Sequence, residues 1–224
     1  MLRWIPTLAG CVLIAIAATG CSVSPTAITT DPSGAFVSVN NVGAGTSPLN
    51  YTLDFSKQPV YEIKASKPGY FDSTATINSD LVGVTNGVLN IALQQDEAYS
   101  VTTTTEATNR WLRVEISPKM TQADAWQKIV DSVTDRFPSI EQMDPSSGYL
   151  RSIPISHTYK HPVYGEHTIR TQFTGTISSR DPLVYKMMIV SQESTAAGTW
   201  VAYDRVFKED AQMIEELQSR LGTK

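Results

Sequence analysis

Cysteine is almost missing from this 224-residue chain: Cys11 and Cys21 are the two, both near the N-terminus. The remainder therefore offers no disulfide, no cysteine metal cluster and no thiol nucleophile. Histidine is scarce too, with only His157, His161 and His167. There is no Lys/Arg block, and 18 basic against 22 acidic residues give a net charge of −4. A polyanionic nucleic acid is thus a poor partner. Beyond the first twenty residues there is no long apolar run, so the rest of the chain reads as soluble. What is present is ordinary: 41% apolar and 18% charged residues exclude wholesale disorder and a collagen-like or coiled-coil fibre. The length allows one or two domains.

The N-terminus carries the sharpest signal. Arg3 supplies a positive charge, an apolar run extends from Leu8 through Ala18, and Thr19, Gly20 and Cys21 follow. A charged start, a short apolar core and small residues before a cut make a secretion signal, too short to span a bilayer comfortably. Ala18-Thr19-Gly20-Cys21 resembles the lipobox of bacterial lipoproteins, with Ala18 in place of the usual Leu or Val. The resemblance implies a signal peptide over residues 1–20 and lipidation of Cys21, which would be the one cysteine left. The alternatives are an uncleaved anchor or a plain secretory signal. Acyl chains hold a protein to a membrane by about 0.8 kcal/mol per buried CH₂. Ser22 after the cysteine, with no Asp, implies the outer membrane on its periplasmic side, an inner-membrane or surface-exposed lipoprotein being the other options.

Residues 21–27 are small and polar and read as a tether. Residues 28–96 show a two-residue alternation with turn signals between runs. Phe36 to Val39, Tyr51 to Phe55, Val60 to Ala65, Thr74 to Ile77 and Val88 to Leu93 are the candidate strands. Gly43, Gly45 and Pro48 read as a loop, and Lys67-Pro68-Gly69-Tyr70 as a turn. A small all-β sandwich is expected. Three motifs in this order resemble a PEGA domain: Pro32-Ser33-Gly34-Ala35-Phe36-Val37, Gly45-Thr46-Ser47-Pro48, and Lys67-Pro68-Gly69-Tyr70. The extra residue before Pro48 and an insertion at Asn78 to Gly87 depart from the pattern. The resemblance implies an extracytoplasmic interaction module with no catalytic residues.

Residues 97–109 form a Thr-rich connector, either a strand or a linker. Residues 110–224 change character. Leu112, Val114 and Ile116 alternate; Thr121 with Asp124 caps a helix whose apolar face is Trp126, Ile129, Val130, Val133 and Phe137. Hairpin signals follow at Asp144 to Gly148, then strands over Glu166 to Ile177, Leu183 to Ser191 and Thr199 to Val206. A last helix carries Ile214, Leu217 and Leu221, with Glu209, Asp210, Glu215 and Glu216 as a solvated acidic face. The fold class is α+β: an N-terminal small β-sandwich followed by an antiparallel sheet with two helices packed on one face. This second order resembles the helix-grip domains of BamC-type envelope lipoproteins, which implies a non-catalytic, partner-binding domain.

Candidate sites are few. His157 and His161 are four apart, but Pro154, Pro162 and Gly165 place them in a loop, where that spacing does not chelate. No catalytic set, metal site or cofactor motif emerges: Ser146 and Ser147 are turn residues, Glu141 and Asp144 surface charges, and Gly43-x-Gly45 lacks the helix and Lys of a phosphate loop. Tyr159, Lys160 and Tyr164 are candidates for contacting a partner, because loop tyrosines give contact area at small entropic cost. Arg170, on a strand, is the fourth candidate, with Glu115 as its expected partner across the sheet. Trp111, Trp126 and Trp200 read as core or core-edge aromatics. The expectation is a lipid-anchored, non-enzymatic envelope protein that docks a protein partner through a sheet face or edge. A peptidoglycan or other envelope-glycan module is the alternative.

Overall fold

The computed structural model describes residues 23–194 and 198–222. The proposed signal peptide and Cys21 lie outside the described residues. The chain divides into two compact units: the first holds residues up to Ala65 together with Thr74–Ala92, the second Ser66–Ser73 and everything from Leu93.

The first unit is all β. Its strands are β1 (Val23–Asp31), β2 (Phe36–Val39), β3 (Val42–Thr46), β4 (Leu49–Asp54), β5 (Val60–Ser66), β6 (Ser73–Asn78), β7 (Val84–Thr85) and β8 (Val88–Ala92). They form two four-stranded sheets, β4-β1-β8-β7 and β3-β2-β5-β6. Each sheet buries alternate residues: Ile28, Leu53, Leu89 and Ile91 from the first, Val37, Val39, Ile63, Ala65 and Ile77 from the second. The tether expected over residues 21–27 is a strand from Val23 onward, paired with β4. Pro25 is tolerated there because β8 joins β1 only from Ala27, so the missing N–H faces no ladder. The expected loop at Gly43 and Gly45 is also a strand. Asn40 and Asn41 both have positive φ, the signature of the tight hairpin turn that pairs β3 with β2. A side chain at Gly43 would meet the Phe36 ring at 2.9 Å. The insertion at Asn78 to Gly87 folds into the β7–β8 hairpin on an Asn86-Gly87 turn.

The second unit contains α1 (Glu97–Val101), β9 (Thr102–Thr103), β10 (Leu112–Glu115), α2 (Gln122–Arg136), β11 (Ile140–Asp144), β12 (Tyr149–Ser152), β13 (Ile155–His161), β14 (Gly165–Arg180), β15 (Leu183–Ser194), β16 (Trp200–Ala202), β17 (Val206–Phe207) and α3 (Lys208–Leu221). Its main sheet runs β10-β15-β14-β12-β11, with β13 also on β14 and β16 also on β15. Both α2 and α3 cover one face. Ile129, Val133 and Phe137 from α2 and Ile214, Leu217 and Leu221 from α3 meet Val114, Leu150, Phe173, Tyr185, Met187 and Ile189 of the sheet. Each fully buried side chain of this size contributes about 2 kcal/mol. Thr121 caps α2 as expected, accepting from the Asp124 amide at 3.1 Å and donating to its carboxylate at 2.7 Å.

The connector is neither a linker nor simply a strand. Asp96 caps the short helix α1 by accepting from the Tyr99 amide. β9 pairs with β17. Asn109, at positive φ, fills the gap between β10 and β16 along β15: its side-chain amide accepts from Ser191 N and donates to Ser191 O and Tyr203 O. A side-chain amide thus stands in for a backbone one, and the β15 edge keeps its hydrogen bonds.

Two further expectations fail here. His157 to His161 is a strand, β13, in a hairpin with β14; Pro162 marks its turn, not a long loop. Asp210 is no part of a solvated face. It is fully buried, with Arg136 Nε 2.7 Å from Oδ1, because α3 turns this first-turn residue toward α2.

A groove on the helix-free face of the sheet

Side chains alternate across a strand, so β14 serves both faces of the sheet. Ile169, Thr171 and Phe173 are buried on the helix side. Arg170, Gln172 and Thr174 point the other way, opposite Gln192, Val190 and Met188 of β15. Arg170, Gln172, Thr174, Val190 and Gln192 floor a groove of about 640 Å³, walled by Glu141, Tyr149, Arg151, Ile153 and Pro154. Ile153 is half exposed.

The groove's polar groups hold one another in place. Arg170 donates through Nε and Nη2 to Gln192 Oε1, at 2.9 and 2.8 Å, and its guanidinium lies 3.8 Å from the centre of the Trp200 ring. Arg151 Nε is 3.1 Å from Glu141 Oε2, and its Nη2 donates to Gln172 Oε1. Gln172 Nε2 in turn donates to Glu141 and to the carbonyl of Ser152, the latter at 2.6 Å. Arg151 thus has a carboxylate partner, whereas the partners of Arg170 are a neutral amide and a ring. The expected Arg170–Glu115 pair does not form, since Glu115 lies opposite Val184 at the far end of β15. A planar, delocalised cation stacked on an aromatic face and fixed by an amide is pre-organised for bidentate recognition of an oxyanion.

The four residues proposed from sequence are not brought together. Arg170 lines the groove. Lys160 lies opposite Glu166, at the tip of the β13–β14 hairpin. Tyr164 is exposed in the hairpin turn, stacked on His161. Tyr159 packs against Ala98, Ile169 and Phe207 on the helix side, where burial, then Glu209 and Glu97, raise its phenol pKa. The residues that sequence reasoning missed are Gln172 and Gln192, and the part Glu141 and Trp200 play in holding the two arginines.

His161 and His167 are neighbours, and all three histidines meet aromatic rings. His161 Nδ1 accepts from the amides of Val163 and Tyr164, and burial followed by nearby His167 lowers its pKa. His167 Nε2 is 2.8 Å from Glu193. His157 meets Phe207 edge-on. Among the described residues no group of three or more His, Cys, Asp or Glu side chains could hold a metal ion. At the β11–β12 turn, Asp144 accepts from Ser146 and Ser147, which hold its carboxyl down to about 2. Ser146 and Ser147 are therefore turn residues, as their sequence position implies.

A PEGA domain model matches residues 24–109. The N-terminal part of the chain is PEGA-like, and the match runs past Ala92 through α1, β9 and Asn109. No curated protein matches the chain. Among solved structures, a protein of unknown function from Bacteroides fragilis, provisionally described as membrane-associated, is similar at 13% identity. That likeness covers 80% of this chain and 98% of the other, with a TM-score of 0.24, too low to carry an argument.

Proposed function

We propose that this is a lipid-anchored, non-catalytic protein of the cell envelope that docks a protein partner on the helix-free face of its second unit. The groove over β14 and β15 carries the reading. Its arginines are pre-set by Gln192, Gln172 and Glu141, and Ile153, Pro154 and Val190 lie beside them. Backbone groups of the two central strands are engaged in the ladder, so recognition there falls to side chains. The PEGA-like part, folded as a β-sandwich, acts as spacer or second docking module. The lipobox-like Ala18 to Cys21 supports anchoring through Cys21, and Ser22 after it supports the outer membrane, facing the periplasm. Among the described residues no helix is long and apolar enough to cross a membrane. A glycan ligand draws less support. Trp111 and Trp200 do not line the groove, and each has a cation over its ring, Lys186 and Arg170 respectively.

The test joins fractionation with photo-crosslinking in the native envelope. Cys21→Ala moves the protein from the membrane to the soluble fraction. A photo-crosslinking residue at Thr174 captures one discrete protein, and the same residue at Gln127, exposed on α2, does not. Full membrane retention of Cys21→Ala ends the lipoprotein reading. Adducts only to peptidoglycan at Thr174 replace the protein partner by a glycan.

A further inference from the structure

The β14–β15 hairpin contains an irregularity with a chemical consequence. Arg180 pairs with Leu183 beside the turn, and counting straight along both strands would set Arg170 opposite Glu193. The register shifts between Ile177 and Ser179, where one extra residue on β14 is left unpaired. Arg170 therefore faces Gln192, and Glu193 passes to the helix side, where it meets His167. The bulge removes from Arg170 the carboxylate that a regular hairpin would have supplied. Among the described residues Arg170 has no ion pair, although it is half buried in a concave site and belongs to a chain of net charge −4.

Resting on the docking reading above, we infer that Arg170 receives a side-chain carboxylate, Asp or Glu, from an extended acidic segment of the partner protein. Charge complementarity selects the occupant. Gln192 uses Nε and Nη2 of Arg170, Trp200 covers its plane, and Nη1 makes no bond among the described residues. Arg151 is satisfied by Glu141, so the incoming charge falls on Arg170. Ile153 and Val190 lie beside it for an apolar neighbour of that acid, which suits a peptide better than a sugar.

Two pools of blocked heptapeptides test this, random at six positions and differing only in a central Glu or Gln. Each is captured on the full chain in detergent, alongside an acidic trisaccharide of uronic acid units. The Glu pool is retained about tenfold better than the Gln pool, since a hydrogen-bonded charge pair of this kind is worth about 1.5 kcal/mol or more. Arg170→Lys and Arg170→Gln remove the preference, whereas Arg113→Gln, a charge change on β10, keeps it. Equal retention of both pools, abolished by Thr174→Arg, overturns the carboxylate and leaves the docking face standing. Retention of neither pool, or of the trisaccharide alone, overturns both.

Discussion

The two faces of the seven-stranded sheet answer the same demand, what to do with a charge in a partly dry place, in opposite ways. On the helix side Asp210 is fully buried and meets Arg136, whose guanidinium also lies near the rings of Phe137 and Phe207. The charge is neutralised inside the molecule and closed off. On the other side Arg170 is held by Gln192 and Trp200, and among the described residues its charge has no carboxylate partner. One arrangement sets a cation against a carboxylate of the same chain; the other sets a cation against a neutral amide and a ring. If the proposed docking is right, the helix side serves stability and the other face recognition, and substitutions on the two faces fall into two classes.

The largest effect belongs to the closed pair. Asp210→Ala leaves the Arg136 guanidinium, only 18% exposed, without its carboxylate. A loss of about 3 kcal/mol in urea unfolding is expected, the usual result of breaking a buried pair from one side. Burial, opposed by Arg136, raises the Asp210 pKa above the ordinary aspartate value. The folded chain then holds this proton more tightly than the unfolded one. Its contribution is greatest at low pH and declines as pH rises through the raised value. Asp210→Asn removes that slope. A wild-type level of stability in Asp210→Ala would erase the contrast between the faces.

Next is Gly175→Ala, again on the helix side. A Cβ there would sit 2.3 Å from the Tyr185 hydroxyl oxygen, and Tyr185 is wholly buried in the core. Overpacking of this kind costs about 2 kcal/mol. The double variant with Tyr185→Phe recovers part of it, because the oxygen being struck has no hydrogen-bond partner among the described residues. Failure of Tyr185→Phe to restore any stability in thermal unfolding would place the strain elsewhere.

How much of this was legible in the sequence follows from the range of the interactions involved. The cap of Thr121 on Asp124 and the apolar stripe of α2 depend on neighbours within a turn or two, and both are as expected. The face shared by Arg170, Gln172 and Thr174 follows from a two-residue period alone. Their partners do not. An unpaired residue near Ser178 decides whether Arg170 meets Glu193 or Gln192, and nothing in the local pattern announces a bulge. Asn109, acting as a piece of backbone for β15, is 82 residues from Ser191. Asp210 looked solvated because charged residues in a first helical turn usually are. Only the packing of α3 beside α2 brings Arg136 to it. The β13 hairpin was hidden by Pro162, which proves to be its turn.

A smaller effect separates the β11–β12 turn from the buried pair through its sign. The Ser147 and Ser146 hydroxyls and the Ser146 amide hold Asp144 down to about 2. Its stabilising contribution is present above the ordinary aspartate value and fades as pH falls toward 2. Asp144→Asn flattens the acid limb of the stability profile below about pH 4, the usual aspartate pKa, and leaves neutral pH nearly unchanged. A steeper acid limb in this variant would contradict the hydrogen bonds assigned to the turn.

The smallest effect is the most informative about the groove. Arg170→Gln removes a guanidinium that makes two hydrogen bonds and an aromatic stack, contacts that in the core would be worth more than 1 kcal/mol. On the open face water can replace each of them, and removing an unpaired cation relieves its desolvation. The stability change is therefore expected within about 0.5 kcal/mol. A loss beyond about 1.5 kcal/mol in urea unfolding would mean that Arg170 holds the sheet together and that the two faces do the same work. A near-zero change together with lost selection of the Glu peptides would mean that Gln192 and Trp200 fix a charge the fold itself does not need.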